Sequence, residues 1–376
     1  MKKVLFVATL VKNHVMKFHL PYLKLFCDHG WQTSVAARND YENPAECNIP
    51  FCHRFYDTPF QRSPLKMDNF RAFRQVRRLL REENYDLLHC HTPVGALVAR
   101  LASVGCKNTR VIYTAHGFHF YKGAPLLNWL VYFTAEWLTA PLTDVLITIN
   151  AEDYARAKKL LRAKKIVYIP GVGIDTGKFQ GRQARGAELR KELGIPAEAT
   201  VLLSVGDLNR NKNHARVLEA LTLPENEDYY YVVCGRGELL SAHLAFIQEH
   251  GLENRVFFPG YREDVPDFYA MADAFLFPSL REGLSVSVME AMASGLPVLL
   301  SRIRGNTDMV TEGENGFFFD PRSSRDISRA IALLPTGEER IAMGQRNRES
   351  ARRFSLDTVA KQYEAIYFEN SGESVQ

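Results

Sequence analysis

Twelve short apolar runs, separated by segments of helical period, constrain the fold of this chain more than any other feature. In the front half they are "VLFVATL" (4–10), "TSVAA" (33–37), "DLLHCH" (86–91), "RVIYTAH" (110–116), "DVLITIN" (144–150) and "IVYIP" (166–170). In the back half they are "VLLSVGD" (201–207), "YYYVVCG" (229–235), "RVFFPG" (255–260), "AFLFPS" (274–279), "PVLLS" (297–301) and "GFFFD" (316–320). They are mostly unalternating, as parallel strands are when both faces are covered. Between them lie segments of helical period such as "FRAFRQVRRLLREE" (70–83). Alternating β and α argues for parallel α/β sheets. A polar, glycine-rich stretch, "PGVGIDTGKFQGRQARG" (170–186), reads as an interdomain linker. The expected architecture is α/β, with two Rossmann-like domains facing across a cleft. Residues 1–170 form the first, 171–186 the linker, 187–350 the second and 351–376 a closing helical segment.

A chain of 376 residues is long enough for two cores, and 46% apolar with 24% charged residues is ordinary for a globular protein. The start, "MKKVLFVATLVKNH", reads as a buried first strand and not as a signal peptide, because Lys12 interrupts the apolar run. No stretch reaches ~18 uninterrupted apolar residues, so no spanning helix is expected. Six cysteines form no C-x-x-C pair and read as reduced cytosolic thiols. Charge is uneven: residues 1–170 carry 24 Lys+Arg against 13 Asp+Glu, the remainder 23 against 30. The front half therefore suits an anionic partner, whether membrane surface, nucleic acid or acidic substrate, unless the charge is only solvated surface. The basic segment "RAFRQVRRLLR" (71–81) reads as a helix solvated on one side and able to meet anionic lipid. "LLNWLVYFTAEWLTAPL" (126–142), with Trp129 and Trp137, reads as buried more readily than as membrane-facing.

Ligands of open α/β sheets sit at the carboxyl ends of strands. Three stretches fall there. "VGDLNRNKNH" (205–214) brings Arg210 and Lys212, "CGRGE" (234–238) follows the next strand, and "PSLREGLSVSVMEAMASG" (278–295) follows another and opens a helix. If that helix begins near Ser285, its free N–H groups and dipole favour a phosphate, and Gly283 lets backbone approach. Glu290 then lies on the second turn, roughly 8 Å along the axis, where a carboxylate can take the two hydroxyls of a ribose. Glu282, before the helix, can accept from a sugar hydroxyl. Two acids astride a phosphate-binding turn fit a nucleotide-sugar; the plainer alternative is a capping loop and a helix with one exposed Glu. "HCH" (89–91) puts two histidines on one strand face without a third ligand, and Cys47, Cys52 and His53 are no better set, so no metal site is expected.

With Glu282 and Glu290 as its E-x7-E signature, the chain resembles the retaining glycosyltransferases of family 4, which have the GT-B fold. "PGVGIDTGKF", "VGDLNRNKN", "CGRGE", "FPGYREDVPDFYAMADAFLFPS" and "RGNTDMVTEGENGFFFDP" appear in the family's order across most of residues 165–322. "HCHTPVGALVAR" and "YTAHGFHFYKG" are similar to the subgroup that builds bacterial surface polysaccharides on a lipid carrier. The resemblance implies that Glu290 holds the donor ribose and Glu282 the transferred sugar. It gives the amides of Gly283, Leu284 and Ser285 contacts to phosphate or sugar, with Gly206, Asn209 and Gly235 also in the donor site. Lys212 matches the lysine that neutralises the diphosphate. Asp207 stands where an arginine commonly follows the strand glycine, and Arg210 is its expected substitute. His116 matches a histidine near the reacting carbon. "LVKNHVMKFH" replaces the usual twin glycine, so Lys12, Asn13 and His14 are expected at donor phosphate or acceptor.

The resemblance further implies a UDP-hexose or UDP-N-acetylhexosamine donor, a polyprenyl-diphosphate-linked acceptor and retention by same-face attack without an enzymic nucleophile. It also implies a terminal helix, "SLDTVAKQYEAIYFEN" (355–370), crossing back to the first domain. With no D-x-D in the chain, no metal is expected, and no cofactor beyond the nucleotide-sugar substrate. No nucleic-acid partner is expected. The expected location is cytoplasmic, peripheral to the inner face of the cell membrane. Two rivals stand beside this: a GT-B nucleotide-sugar epimerase and a non-catalytic nucleotide-sugar-binding protein.

Overall fold

The computed structural model describes residues 1–64 and 66–369. The chain divides into two compact units: Met1–Val172 with the chain from Ala360 onward, and Gly173–Val359. The first contains strands β1 (Lys3–Leu10), β2 (Gln32–Arg38), β3 (Arg54–Asp57), β4 (Leu87–His91), β5 (Arg110–Ala115), β6 (Val145–Thr148) and β7 (Lys165–Tyr168). All pair in parallel, in the order β3-β2-β1-β4-β5-β6-β7. The second contains β8 (Thr200–Val205), β9 (Tyr229–Cys234), β10 (Val256–Gly260), β11 (Ala274–Phe277), β12 (Val298–Ser301) and β13 (Gly316–Phe319). Their order is β10-β9-β8-β11-β12-β13, again all parallel. Each sheet reverses its strand order once, between β1 and β4 and between β8 and β11. Such switch points open a crevice at the carboxyl ends of the strands.

All twelve apolar runs are strands. Their unbroken hydrophobicity follows from double coverage: Val4 to Leu10 of β1 and all of β4, β6, β11 and β12 are buried. The unexpected strand is β3, "RFYD", which pairs only with β2 at the sheet edge and buries little. Two polar ends on four residues hide it from a hydrophobicity pattern.

The stretch 171–186 is only partly a connection. A short turn, Thr176–Phe179, and the start of helix Gln183–Glu192 lie within it. The misreading rests on Gly186, a loop signal in sequence that here serves packing. A Cβ there would stand 2.6 Å from the carbonyl carbon of Ala270, so only glycine lets this helix approach helix Val265–Met271. The terminal helix spans Leu356–Tyr367. In the first unit Tyr363 packs on Tyr22, with ring centroids 4.5 Å apart, and Tyr367 packs on Phe26 at 4.6 Å. Asn370, the last residue of the expected helix, and the rest of the 351–376 segment beyond Glu369 lie outside the described residues.

Helix Asp68–Glu83 buries Ala72, Val76, Leu79 and Leu80 and turns Arg74, Arg78 and Arg81 to solvent. Burial of 126–142 is only half realised. Trp129, Tyr132 and Phe133 pack against the first core. The opposite side of the same helical run exposes Leu126 (86%), Leu127, Leu130 (70%), Trp137 and Leu138. Among the described residues no helix is long and apolar enough to cross a membrane.

Candidate active site

At the switch point of the second sheet, β8 ends in the Gly206–Lys212 loop and β11 in the Pro278–Ser285 loop. Backbone and amide groups stitch the two together: Leu280 N donates to Asn211 O at 2.8 Å, and Asn211 Nδ2 to Arg281 O at 3.0 Å. Asn209 Oδ1 accepts from Lys212 N at 3.0 Å and shapes the turn. The result is an ion pair between residues 70 positions apart, with Lys212 Nζ 2.8 Å from Glu282 Oε1. Nζ also lies 4.7 Å from the centre of the Phe277 ring. The two side chains are 19% and 17% exposed, so solvent screens the pair only partly. Gly235, at the end of β9, is buried, and a Cβ there would lie 1.8 Å from the carbonyl oxygen of Gly206; the close approach requires glycine. Arg210 is exposed and has no ion pair among the described residues.

Gly283 and Leu284 carry the chain from Glu282 to Ser285, the extended residue before helix Val286–Ser294. Ser285 Oγ meets Ser287 Oγ at 3.0 Å and caps no amide of its own helix. Glu290 therefore stands on the second turn. Its Oε2 accepts from the Tyr269 hydroxyl at 3.0 Å, and that hydroxyl lies equally close to Ser287 O. Burial pushes the Glu290 carboxyl up to about 7, against the opposing pull of Tyr269 and of the Lys178 charge. The two acids thus differ in kind: Glu282 is paired with a cation, Glu290 is held against a phenol.

In the first unit the loops after β1, β4 and β5 converge at the other switch point. The turn Val11–Val15 follows β1 directly. Asp40 anchors it: Lys12 N donates to Oδ1 at 2.6 Å, and Asn13 Nδ2 to Oδ2 at 2.7 Å. Asn13 and His14 line a cavity of about 250 Å³ with Thr9, Arg62, Thr92, His119 and Tyr132. Thr92 joins β4 to its helix at φ 61, a left-handed conformation that costs a β-branched residue energy and is concentrated at functional sites. His116 follows β5, half-buried, and desolvation pushes it down to about 4. Its Nε2 is 3.2 Å from His91 Nδ1. The expectation that His89 and His91 lack further ligands is corrected here: His91 meets His14, His19 and His116, all with ligand atoms within 4.8 Å of one another. The missing partners come from loops after other strands, which the spacing within "HCH" cannot show.

Two family models match the chain: "Glycosyl transferase 4-like" over residues 3–150 and "Glycosyl transferases group 1" over 186–351. The chain is 36% identical over 374 residues to EpsD of Bacillus subtilis (strain 168), named as a glycosyltransferase, covering 97% of this chain and 96% of that one. The chain belongs to the family 4 glycosyltransferases. It is 34% identical to the Escherichia coli UDP-Gal:alpha-D-GlcNAc-diphosphoundecaprenol alpha-1,3-galactosyltransferase, over 70% of this chain and 69% of that one. Among solved structures it is similar to Anabaena HepE in complex with UDP and glucose, at a TM-score of 0.81 and 20% identity, covering 98% and 100% of the two chains. WaaG, a glycosyltransferase involved in lipopolysaccharide biosynthesis, matches at 0.75 and 18% identity, over 96% and 99%. These likenesses establish the GT-B fold of this glycosyltransferase.

Sequence reasoning missed Tyr269, Phe277, Asp40 and His19. Tyr269 and Phe277 lie inside a block whose order marks the family, but nothing in their spacing ties them to Glu290 or Lys212. Phe277 meets Lys212 because β11 pairs with β8, and Tyr269 meets Glu290 because helix Val265–Met271 packs on helix Val286–Ser294.

Proposed function

We propose that this glycosyltransferase moves a hexose or N-acetylhexosamine from a UDP-sugar to a polyprenyl-diphosphate-linked saccharide, with retention of configuration, in bacterial surface-polysaccharide synthesis. The observation that carries the reading is the Lys212–Glu282 pair beside the amides that open helix Val286–Ser294, with Glu290 one turn further on. Without ligand, Glu282 neutralises Lys212. An arriving diphosphate competes for the ammonium, and Glu282 is then released to accept from a sugar hydroxyl. Breaking the sugar–phosphate bond builds negative charge on the leaving oxygen, which Lys212 and the helix N-terminus stabilise. The acceptor hydroxyl attacks from the same face, and its proton passes to the leaving phosphate, so no side chain serves as nucleophile. Arg210 is the second cation for the diphosphate, and Asn209, Gly206, Gly235, Gly283, Leu284 and Ser285 shape the donor site. Glu290 holds the ribose. His116 takes the sugar-contacting role, and Lys12, Asn13 and His14 face the acceptor.

A lipid-linked acceptor is supported by the E. coli relative, whose name specifies a UDP-Gal donor and a diphosphoundecaprenol-linked acceptor. It is supported too by the surface of the first unit. Tyr132 lines the cavity while Leu126, Leu127 and Leu130 of the same helical run stand in solvent. An exposed leucine row beside a polar cavity suits an acceptor whose lipid stays in a bilayer. Peripheral attachment to the inner face of the cell membrane follows. UDP release with one donor, in the presence of extracted lipid-linked acceptor, is the expected result. An isomerised UDP-sugar without transfer would instead establish the epimerase, and donor binding without turnover across acceptors the sensor. Co-sedimentation with anionic vesicles, released by salt and weakened by joint replacement of Arg74, Arg77, Arg78 and Arg81 with Ser, tests the attachment. Protein left in the supernatant with anionic vesicles at low salt would make a soluble acceptor the better reading.

A further inference from the structure

The carboxyl ends of β1, β4 and β5 hold a histidine cluster of which the proposed sugar transfer uses only His14 and His116 and gives His19 and His91 no role. His14, His19, His91 and His116 each offer a ring nitrogen, and the four atoms lie within 4.8 Å of one another. Ring centroids are 3.8 Å apart for His19 and His91, 4.8 Å for His14 and His19, and 5.1 Å for His14 and His116. His19 and His91 are buried, His14 and His116 half-buried.

Histidines packed only as core would have their nitrogens satisfied, as His89 does: its Nε2 meets Thr114 Oγ1 at 2.9 Å, and its Nδ1 meets the Tyr367 hydroxyl at 2.9 Å. The cluster behaves differently. Both ring nitrogens of His19, Nε2 of His14 and Nε2 of His91 are buried without a hydrogen-bond partner. Burying such atoms without a partner is unfavourable; one ion takes one nitrogen per ring, so the open nitrogens of His14 and His19, beside the His91 Nδ1–His116 Nε2 pair, point to a ligand that takes nitrogen lone pairs.

We propose that His14, His19, His91 and His116 bind one first-row transition-metal ion, with zinc the first candidate. Zinc takes four nitrogens tetrahedrally at about 2.0–2.1 Å, which sets nitrogen–nitrogen edges of about 3.4 Å. His91 Nδ1 and His116 Nε2, 3.2 Å apart, already stand at such an edge. The widest separation, 4.8 Å, closes by small ring rotations. An all-imidazole set without thiolate or carboxylate suits zinc, copper or nickel and disfavours magnesium and calcium. Burial holds all four imidazoles below their ordinary pKa, hence neutral and able to donate. The ion ties the turn Val11–Val15, with Lys12 and Asn13, to the ends of β4 and β5, and so fixes the front loop of the first unit. His116 ligates through Nε2 and keeps Nδ1 for the sugar contact proposed above.

The test uses the full chain, stripped with chelator and titrated with Co²⁺. Expected are the visible bands of tetrahedral cobalt, saturating at one ion per chain, bleached by Zn²⁺, and a rise in thermal midpoint with Zn²⁺. His19→Gln should weaken binding more than about 100-fold, beyond the loss seen for outer-shell partners, while His250→Gln, an exposed residue of the second unit, leaves it unchanged. If His19→Gln does not fold, the wild-type titration decides alone. No saturable cobalt spectrum and no zinc-dependent midpoint would overturn the proposal and leave a hydrogen-bonded His91–His116 pair only. A folded His19→Gln that binds as tightly as wild type would overturn this ligand set.

Discussion

The switch point of the second sheet is built from charge; that of the first is built from neutral imidazole. In the second, Lys212 and Glu282 meet at 2.8 Å with under a fifth of either side chain exposed. In the first, five histidines crowd β1, β4 and β5, with His89 and His91 centroids 4.0 Å apart and His19 and His91 at 3.8 Å. Such crowding is possible because burial keeps the rings uncharged; protonated rings at those distances would repel strongly. The same topology thus supports two electrostatic regimes. One is poised to exchange an internal anion for a ligand's; the other keeps its own side chains uncharged, with lone pairs free to donate. In the proposed reading the donor's diphosphate is met by the second unit, although the first carries the excess of basic residues.

The sharpest way to break this contrast is to remove the charge. Lys212→Ala is expected to lower kcat about 10²–10³-fold, the range for losing one preorganised stabiliser of transition-state charge, and to weaken donor binding less. Glu282→Gln should act in the opposite sense on bare UDP. It frees Lys212 from its internal partner, so UDP affinity rises a few fold while sugar transfer falls. Calorimetric UDP titration and UDP-release assays on both variants separate the two effects. Equal losses of donor affinity and rate in Lys212→Ala would reduce the lysine to a ground-state clamp.

The next effect is smaller and lies in Glu290. Glu290→Ala should cost UDP binding about 1–3 kcal/mol, the scale of a charged hydrogen bond lost; unchanged affinity by calorimetry would remove Glu290 from the ribose. A pH dependence accompanies it. The free carboxyl is raised to about 7, so it is largely protonated at pH 6, yet the ribose hydroxyls need an acceptor. Binding then releases a proton, and affinity should rise with pH, by at most tenfold per unit, until it levels above about 7. The sign for folding is the reverse: a raised carboxyl favours the unliganded fold below its ordinary value, and that contribution is lost as pH rises through about 7. Glu290→Gln must flatten the affinity profile between pH 5.5 and 7.5. A profile that survives this replacement belongs to another group.

Legibility followed distance along the chain. Glu282, Gly283, Ser285 and Glu290 could be placed about one turn because they lie within nine residues, and the helix begins at Val286 as the spacing predicts. The strands were legible because both faces of each sheet are covered, which leaves unbroken apolar runs; β3, at an edge, lacks that signature. The ion pair was not legible. Lys212 looked free of partners in sequence, and only the β8–β11 register brings Glu282 to it. The histidine cluster failed for the same reason. "HCH" announces one strand face, but His14, His19 and His116 arrive from the loops after β1 and β5. The helical run 126–142 was misjudged because tryptophan and leucine suit a core and a bilayer surface alike.

The smallest expected effect tests the link between Glu290 and its neighbour. The Tyr269 hydroxyl has one proton and two acceptors, Ser287 O and Glu290 Oε2, both at 3.0 Å. When Glu290 is ionised the proton favours the carboxylate. When Glu290 is protonated, its own hydroxyl donates to the tyrosine oxygen, and the phenol turns to Ser287 O. Tyr269 therefore stabilises the ionised form and holds the carboxyl below where burial alone would put it. Tyr269→Phe removes this hold with little change of volume, at about 0.5–1.5 kcal/mol of fold stability. The Glu290 carboxyl should then titrate above 7, and the plateau of UDP affinity should move to higher pH. The variant is expected to bind UDP more weakly than wild type at pH 6.5 and nearly as well at pH 8.5. If the two profiles coincide while stability falls, Tyr269 is only a packing residue, and the ionisation of Glu290 is set by burial and Lys178.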